Sequence, residues 1–168
     1  MTVAGTKPLL LIDVDGVLNP YEAGRMPAGY AEYGLLGVRV WLNPDHGAWL
    51  LRLTDRFELV WATTWEEFAN DLIAPRIGIG PLPMIAFPGE RVGSTWKLPA
   101  VSAYVGERPF AWLEDDLYDD VYTWAESRPQ PTLLVKTDPA VGLTEDHIRQ
   151  CEQFADQLTT STSTEPTA

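Results

Sequence analysis

The chain has 168 residues, of which 45% are apolar, and a formal net charge of -12. This length and composition predict one domain with a single sizeable core. With only 12 lysines and arginines and no basic run, the chain lacks the cationic surface on which nucleic-acid affinity largely depends. A stand-alone nucleic-acid binder is therefore disfavoured, although a local pocket can hold one phosphate group.

The single cysteine and the two chain ends bear on location and order. Cys151 is alone, so no internal disulfide can form and nothing points to an oxidising compartment. The first residues lack the apolar core of a signal peptide, and the apolar run 9–14 is too short to cross a bilayer. We therefore expect a soluble cytoplasmic protein without a membrane partner. We also expect a flexible N-terminus at 1–7, one domain over 8–158, and a disordered tail at 159–168, which is rich in Thr and Ser.

Strand-like and helix-like segments alternate through the domain. The continuous apolar run 9–14 predicts a strand covered on both faces, and further strands are predicted at 57–62, 84–87, 110–113 and 132–135. Apolar residues at helical spacing predict helices after Asn43-Pro44, up to Pro75, behind Pro99, over 117–124 and after Thr144 as N-cap. This alternation indicates an α/β fold with a doubly wound, mostly parallel sheet. In such sheets, ligands bind beyond the carboxyl ends of the strands.

Two carboxylates close the first predicted strand. Asp13 and Asp15 are spaced so that both side chains face the same way on an extended chain, and Gly16 then allows a sharp turn. The two like charges repel each other, and a divalent cation such as magnesium, which prefers oxygen ligands, relieves that repulsion. The alternative is an acidic turn after a strand, with no role in binding.

Two hydroxyls and a lysine occupy similar positions further along. Thr63 and Thr64 follow the second strand and can hydrogen-bond a phosphate oxygen, or can cap a helix that begins near Glu66. Lys97 lies at the start of a helix, whose N-terminus is already positive. A lysine at this position is explained if an anion binds between its ammonium group and the N-terminus of the helix. The alternative is a solvated lysine.

The fourth strand ends in three acids, Glu114, Asp115 and Asp116. They indicate a second half of a cation site, or else an acidic first turn on the following helix. The two histidines, His46 and His147, are too isolated for a zinc site, and we expect surface or capping positions for both.

These residues together resemble the motifs of the haloacid-dehalogenase-like (HAD) phosphohydrolase superfamily. Residues 13–18, Asp-Val-Asp-Gly-Val-Leu, are similar to its first motif, Thr63 to the hydroxyl of the second and Lys97 to the lysine of the third. Residues 114–116 are similar to the acidic pair of the fourth motif. The resemblance covers roughly residues 8–136 and implies a Rossmann-like HAD core.

The resemblance implies a role for each residue. Asp13 would be a nucleophile that forms an aspartyl-phosphate, and Asp15 would be the acid and base. Thr63, favoured over Thr64, and Lys97 would hold the phosphoryl oxygens. Magnesium would bind Asp13, Asp15 through its backbone carbonyl, and one acid of the fourth motif. Asp115 is favoured there, with Glu114 and Asp116 as alternatives.

The resemblance also bears on the substrate. The segment 19–43 has room for a short flap or hairpin, near 30–42, but not for a cap domain. The open site implied is typical of capless phosphatases, and we expect a phosphorylated small molecule or nucleotide as substrate. The patterns at 60–65 and 139–144 also resemble small HAD domains associated with RNA repair, so a polynucleotide end is an alternative. Trp65 is a candidate for stacking on a base, although a core position is favoured for most of the tryptophans. A catalytically silent interaction module is the other alternative, and the second carboxylate, Asp15, speaks against it.

Overall fold

A computed structural model describes residues 6–162. In chain order, its strands are β1 (Leu9–Ile12), β2 (Ala31–Leu35), β3 (Val38–Leu42), β4 (Glu58–Trp61), β5 (Phe110–Glu114) and β6 (Thr132–Lys136). Its α-helices are α1 (Pro44–Arg52), α2 (Ala74–Ile77), α3 (Leu98–Val105), α4 (Asp119–Ser127) and α5 (Glu145–Thr162). A π-helical segment, Ala69–Ile73, leads directly into α2.

The central sheet has four parallel strands in the order β4-β1-β5-β6. All four residues of β1 are fully buried. Because side chains alternate across a strand, Leu10 and Ile12 pack into one hydrophobic cluster and Leu9 and Leu11 into another on the opposite face. A sheet covered on both faces by helices is the α/β, Rossmann-like architecture predicted from the sequence.

The strand order creates a crevice. From β1 the chain reaches β4 on one side of the sheet and afterwards β5 on the other. Connections that leave in opposite directions open a space at the carboxyl ends of the strands, where ligands bind in folds of this kind. Asp13, Thr63 and Asp115 come just after β1, β4 and β5, and therefore lie at this edge.

The hairpin of β2 and β3 occupies the segment predicted to be a flap. Its strands are antiparallel, with Tyr33 opposite Val40, and Leu36 and Gly37 both take positive φ in its turn. Positive φ at both central residues is what a two-residue type I′ hairpin turn requires. Within the described residues, the hairpin is the only sheet besides the central one.

The predicted strand at 84–87 is not a strand in the structure. Met84 makes an isolated parallel bridge to Trp61, with hydrogen bonds on either side from Trp61 N to Pro83 O and from Ile85 N to Trp61 O. Prolines precede and follow this segment, and proline cannot donate to a strand ladder. The pairing therefore stops after one bridge.

The prediction that Pro75 ends a helix is also wrong. Pro75 lies in the first turn of α2, directly after the π-helical segment, where the missing N–H costs no hydrogen bond. The helix ends instead at Ile77, with Gly78 in the left-handed conformation as its C-cap.

The C-terminal helix is longer than predicted. Helix α5 runs to Thr162, so residues 159–162 of the expected disordered tail are helical. Hydroxyls in this last part bond to carbonyls one turn back, as Thr159 Oγ1 does to Ala155 O and Ser161 Oγ to Gln157 O, so they do not compete with the helix. The rest of the predicted tail, 163–168, and residues 1–5 of the predicted flexible N-terminus lie outside the described residues.

His46 is buried, contrary to the expected surface or capping position. It lies in α1 with 1% of its surface exposed, and its ring contacts those of Tyr30 and Trp49. Burial lowers the pKa of His46 to about 4. His147 does have the expected capping position, since its Nδ1 accepts a hydrogen bond from Thr144 N.

No helix in the range 6–162 is long and apolar enough to cross a membrane. A cytoplasmic location stays a prediction.

Candidate active site

Asp13 lies at the centre of the carboxyl edge of the sheet. Its N–H extends the ladder by donating to Leu113 O at 3.1 Å. Its side chain is buried, with Oδ1 accepting from Val14 N at 2.7 Å and Oδ2 accepting from Lys97 at 2.8 Å. Both carboxylate oxygens are thereby oriented at the end of β1.

Lys97 connects the ends of three strands. It is the residue directly before α3, as predicted. Its Nζ donates to Asp13 Oδ2 at 2.8 Å, to Glu114 Oε2 at 2.6 Å and to Ala62 O at 3.4 Å. Burial lowers the pKa of Lys97, but the carboxylates of Asp13 and Glu114 together outweigh burial, so its pKa lies above the usual value. Lys97 therefore carries a positive charge at neutral pH.

Three buried acids lie close enough to share a cation. Asp13, Glu114 and Asp115 each have one carboxylate oxygen that lies within 4.8 Å of those of the other two. Burial, followed by the charge of Asp13, raises the pKa of Glu114 well above its usual value, and burial also raises the pKa of Asp115. Three carboxyl groups share one lysine here, so when all are ionised their negative charge exceeds the positive charge of Lys97.

The backbone leaves room for the carboxylate of Asp115. Gly16 has a φ of +78°, and a Cβ added there would lie 2.2 Å from Asp115 Cγ. Only glycine fits this close approach at this backbone angle. Oxygen donors, excess negative charge and this fitted carboxylate suit a hard divalent cation such as Mg²⁺.

The three acids of the fourth motif differ in how far their carboxylate oxygens are already engaged in hydrogen bonds. Glu114 has both oxygens engaged, since Oε1 accepts from Asp116 N at 3.2 Å and Oε2 binds Lys97. Asp115 Oδ2 accepts one long bond from the Tyr21 hydroxyl at 3.5 Å, and a hydrogen bond with the Glu114 side chain partly offsets the effect of burial on the Asp115 pKa. Asp116 is exposed, and its side chain is outside the trio. Of the three acids proposed as metal ligands in this motif, Asp115 is thus the most available.

The two threonines also differ. Thr63 is 1% exposed and lies two residues after the end of β4, whereas Thr64 is half-buried. Thr63 Oγ1 accepts from Trp65 N at 3.3 Å. This is a local capping contact, the role that the sequence offered as the alternative to phosphate binding. A hydroxyl can accept this bond and still donate to another oxygen. The phosphate-binding role of Thr63 and Thr64 therefore stays a prediction.

Asp15 is held by two residues that the sequence did not reveal. Its Oδ1 accepts from Asn19 Nδ2 at 2.8 Å, and its Oδ2 accepts from Trp65 Nε1 at 2.9 Å. The side chain of Asp15 is therefore not part of the acidic trio. Trp65 is 6% exposed and packs in a hydrophobic cluster, so its ring lies in the core, as expected for most of the tryptophans, and is not presented for stacking on a base.

Two exposed tyrosines border the acids and were also missed. Tyr21, 48% exposed, points its hydroxyl at Asp115, and Tyr118, 44% exposed, places its hydroxyl 3.3 Å from Asp116 Oδ1. Burial, and then the charge of Asp115, raises the pKa of Tyr21 to about 12.

Three features together define a HAD-like α/β domain. They are the parallel sheet, the short hairpin in place of a cap domain, and the cluster at the carboxyl edge formed by Asp13, Glu114, Asp115 and Lys97. The family model described as "HAD domain in Swiss Army Knife RNA repair proteins" matches residues 9–148. The chain therefore belongs to this family of RNA-repair-associated HAD domains, and the resemblance seen in its motifs is confirmed. No curated protein and no solved structure matches the chain.

Proposed function

We propose that the protein is a magnesium-dependent phosphohydrolase that works through an aspartyl-phosphate on Asp13. The observation that carries the proposal is the position of Lys97, whose Nζ bonds both Asp13 Oδ2 and Glu114 Oε2 in the crevice at the strand ends. A buried cation beside the nucleophile can hold a phosphoryl group there and offset the charge that develops during transfer.

The residues of the chain account for both halves of the reaction. In the first, an oxygen of Asp13 attacks phosphorus, the bond from phosphorus to the leaving oxygen breaks, and that oxygen takes a proton from Asp15. In the second, Asp15 takes a proton from water, the water oxygen attacks phosphorus, and Asp13 is released with inorganic phosphate. Lys97 and Thr63 hold the phosphoryl oxygens throughout.

The residues that would hold Mg²⁺ are Asp13 and Asp115, together with the backbone carbonyl of Asp15. Bound there, the ion would neutralise negative charge on the acids and on the phosphate. Glu114 has a different role in this proposal. Since both of its oxygens are engaged by Lys97 and Asp116 N, it holds the lysine in place.

Hydrolysis of a generic aryl phosphate, with Mg²⁺ and with a chelator, tests the proposal. Wild type should turn over only with the metal, and Asp13→Asn should lose at least about a thousandfold in kcat because no carboxylate nucleophile remains. Asp55→Asn, an exposed acid in the turn that precedes β4 and outside the site, is the matched control and should keep full activity. Metal-independent turnover, or an active Asp13→Asn, would refute the mechanism.

The second candidate function is a phosphatase for polynucleotide ends. The family description names RNA repair proteins, and a short hairpin in place of a cap domain leaves the site open to a large substrate. The net charge of -12 opposes tight binding along a strand, so recognition would concentrate on the terminal phosphate. Comparing kcat/KM for oligonucleotides phosphorylated at either end with that for mononucleotides decides between the two. No hydrolysis of any of these esters would favour the silent interaction module.

A further inference from the structure

We infer that Asn19 and Trp65 are positioning residues that fix the orientation of the Asp15 carboxyl group for proton transfer. The inference rests on the proposed function, because it assigns a purpose to the contacts of the proposed acid and base. Trp65 ends the pattern 60–65, but neither residue is among those to which the four motifs assign a catalytic role.

Trp65 holds one oxygen of Asp15. Its Nε1 donates to Asp15 Oδ2 at 2.9 Å from a ring that packs in the main hydrophobic cluster. The backbone under the ring is also constrained, since Trp65 N donates to Thr63 Oγ1 and the next residue, Glu66, takes a φ of 48°. A packed ring on a constrained turn has little freedom to move its N–H away from the carboxylate.

Asn19 holds the other oxygen and connects it to the hairpin. Its Nδ2 donates to Asp15 Oδ1 at 2.8 Å, while its Oδ1 accepts from the backbone N–H of Trp41 in β3 at 3.0 Å. Asn19 is 4% exposed, and its backbone carbonyl accepts from Gly16 N at 2.8 Å. The amide is thus fixed by partners on both sides, and the position of the hairpin is transmitted to Asp15.

Two donors, one on each oxygen, define the plane of a carboxyl group. Each carboxylate oxygen can accept more than one hydrogen bond, so an oxygen held by Asn19 or Trp65 still has a lone pair for the proton that passes to the substrate. Loss of one donor lets the group rotate about its side-chain torsions. Because misplacement of a reacting group by about 1 Å can cost about a hundredfold in rate, such rotation should slow proton transfer specifically.

The test compares Trp65→Phe with Trp61→Phe. Both rings pack in the same hydrophobic cluster, and each variant removes an indole N–H that donates to a side-chain oxygen. The acceptor for Trp61 is Asn70, not Asp15. Each variant is assayed on an aryl phosphate, whose phenolate leaves without a proton, and on glycerol phosphate, whose alkoxide needs one. The readout is kcat/KM for glycerol phosphate divided by kcat/KM for the aryl phosphate. This ratio is independent of the fraction of folded protein, so partial misfolding does not affect it.

We expect kcat/KM for glycerol phosphate to fall about tenfold in Trp65→Phe, and kcat/KM for the aryl ester to fall less than about twofold. Trp61→Phe should leave the ratio unchanged. Asp15→Asn should lower the ratio further, and Asn19→Ala should lower it as Trp65→Phe does.

An unchanged ratio in both Trp65→Phe and Asn19→Ala, alongside a lowered ratio in Asp15→Asn, would overturn the inference and leave the proposed function standing. No turnover of either ester by wild type with Mg²⁺ would instead overturn the proposed function, and the inference with it.

Discussion

The ammonium nitrogen of Lys97 lies 2.6 Å from Oε2 of Glu114, a carboxylate that is only 1% exposed. This pair connects the start of α3 to the end of β5. Because the same nitrogen also bonds Asp13, one cation stabilises two buried acids at the site. Removal of one partner of a buried pair leaves an uncompensated charge, so the pair is open to a direct test.

Lys97→Met should lower both activity and stability. It keeps most of the side-chain length but leaves Asp13 and Glu114 without their shared cation, which should cost about 3 kcal/mol of unfolding free energy in the presence of a chelator. Turnover should fall at least about a hundredfold, because the phosphoryl group loses a positive partner. Urea unfolding and an aryl phosphate assay measure the two effects. Lys7→Met removes an exposed ammonium group that bonds Thr54 O and serves as the control, and equal losses in both variants would contradict the prediction.

Asp115→Asn should weaken metal binding, a property that can be read without turnover. A ligand that binds only the folded state raises the unfolding free energy, by about 2.7 kcal/mol at a hundred times its Kd. We expect Mg²⁺ to stabilise wild type and Asp116→Asn in thermal unfolding, and to stabilise Asp115→Asn far less. Asp116 is the matched control because it is the next acid along the chain but is exposed. Equal responses of the two variants would remove Asp115 from the metal site.

Gly16→Ala should disturb Asp115 through the backbone. The added methyl would meet Asp115 Cγ at 2.2 Å, whereas at Gly37, which has almost the same φ of +79°, a Cβ meets nothing within 4 Å. Gly37→Ala therefore measures the backbone strain alone, about 1–2 kcal/mol. Gly16→Ala should cost more than that and should also lose the stabilisation by Mg²⁺, as measured by urea unfolding with and without the ion. A cost equal to that of Gly37→Ala would show that Asp115 gives way freely.

His46 should make the folded state sensitive to acid. Its pKa is about 4 in the folded protein and 6.5 when unperturbed, so below about pH 6.5 the unfolded state binds a proton that the folded state does not. Stability that is fully present above pH 6.5 is thus lost as the pH falls, by about 2 kcal/mol at about pH 5.

The difference in unfolding free energy between wild type and His46→Gln isolates this effect, since the other titrating groups are common to both. That difference should shift against wild type between about pH 7.5 and about pH 5. His147→Gln is the comparison, because His147 is only half-buried, and it should show a smaller shift. A pH-independent difference for His46→Gln would contradict the prediction.

The parallel α/β fold was predictable because its signals are local. A strand buried on both faces must be continuously apolar, as 9–12 and 110–113 are, and its polar residues then follow at the carboxyl end. Two local predictions failed, each at a proline whose effect depends on the neighbouring structure. The apolar segment 84–87 is limited by its flanking prolines to one bridge with Trp61, and Pro75 is accommodated by a change from π-helix to α-helix.

The sequence by itself determined which polar residues meet and at which edge of the sheet, because Asp13, Lys97 and Glu114 are each positioned by the element next to them. Only the tertiary structure decided their partners. Trp65 is 50 residues from Asp15 along the chain, and Tyr21 is 94 residues from Asp115. Contacts at such separations depend on how packed elements orient individual side chains, and no periodicity or spacing in the sequence records that orientation.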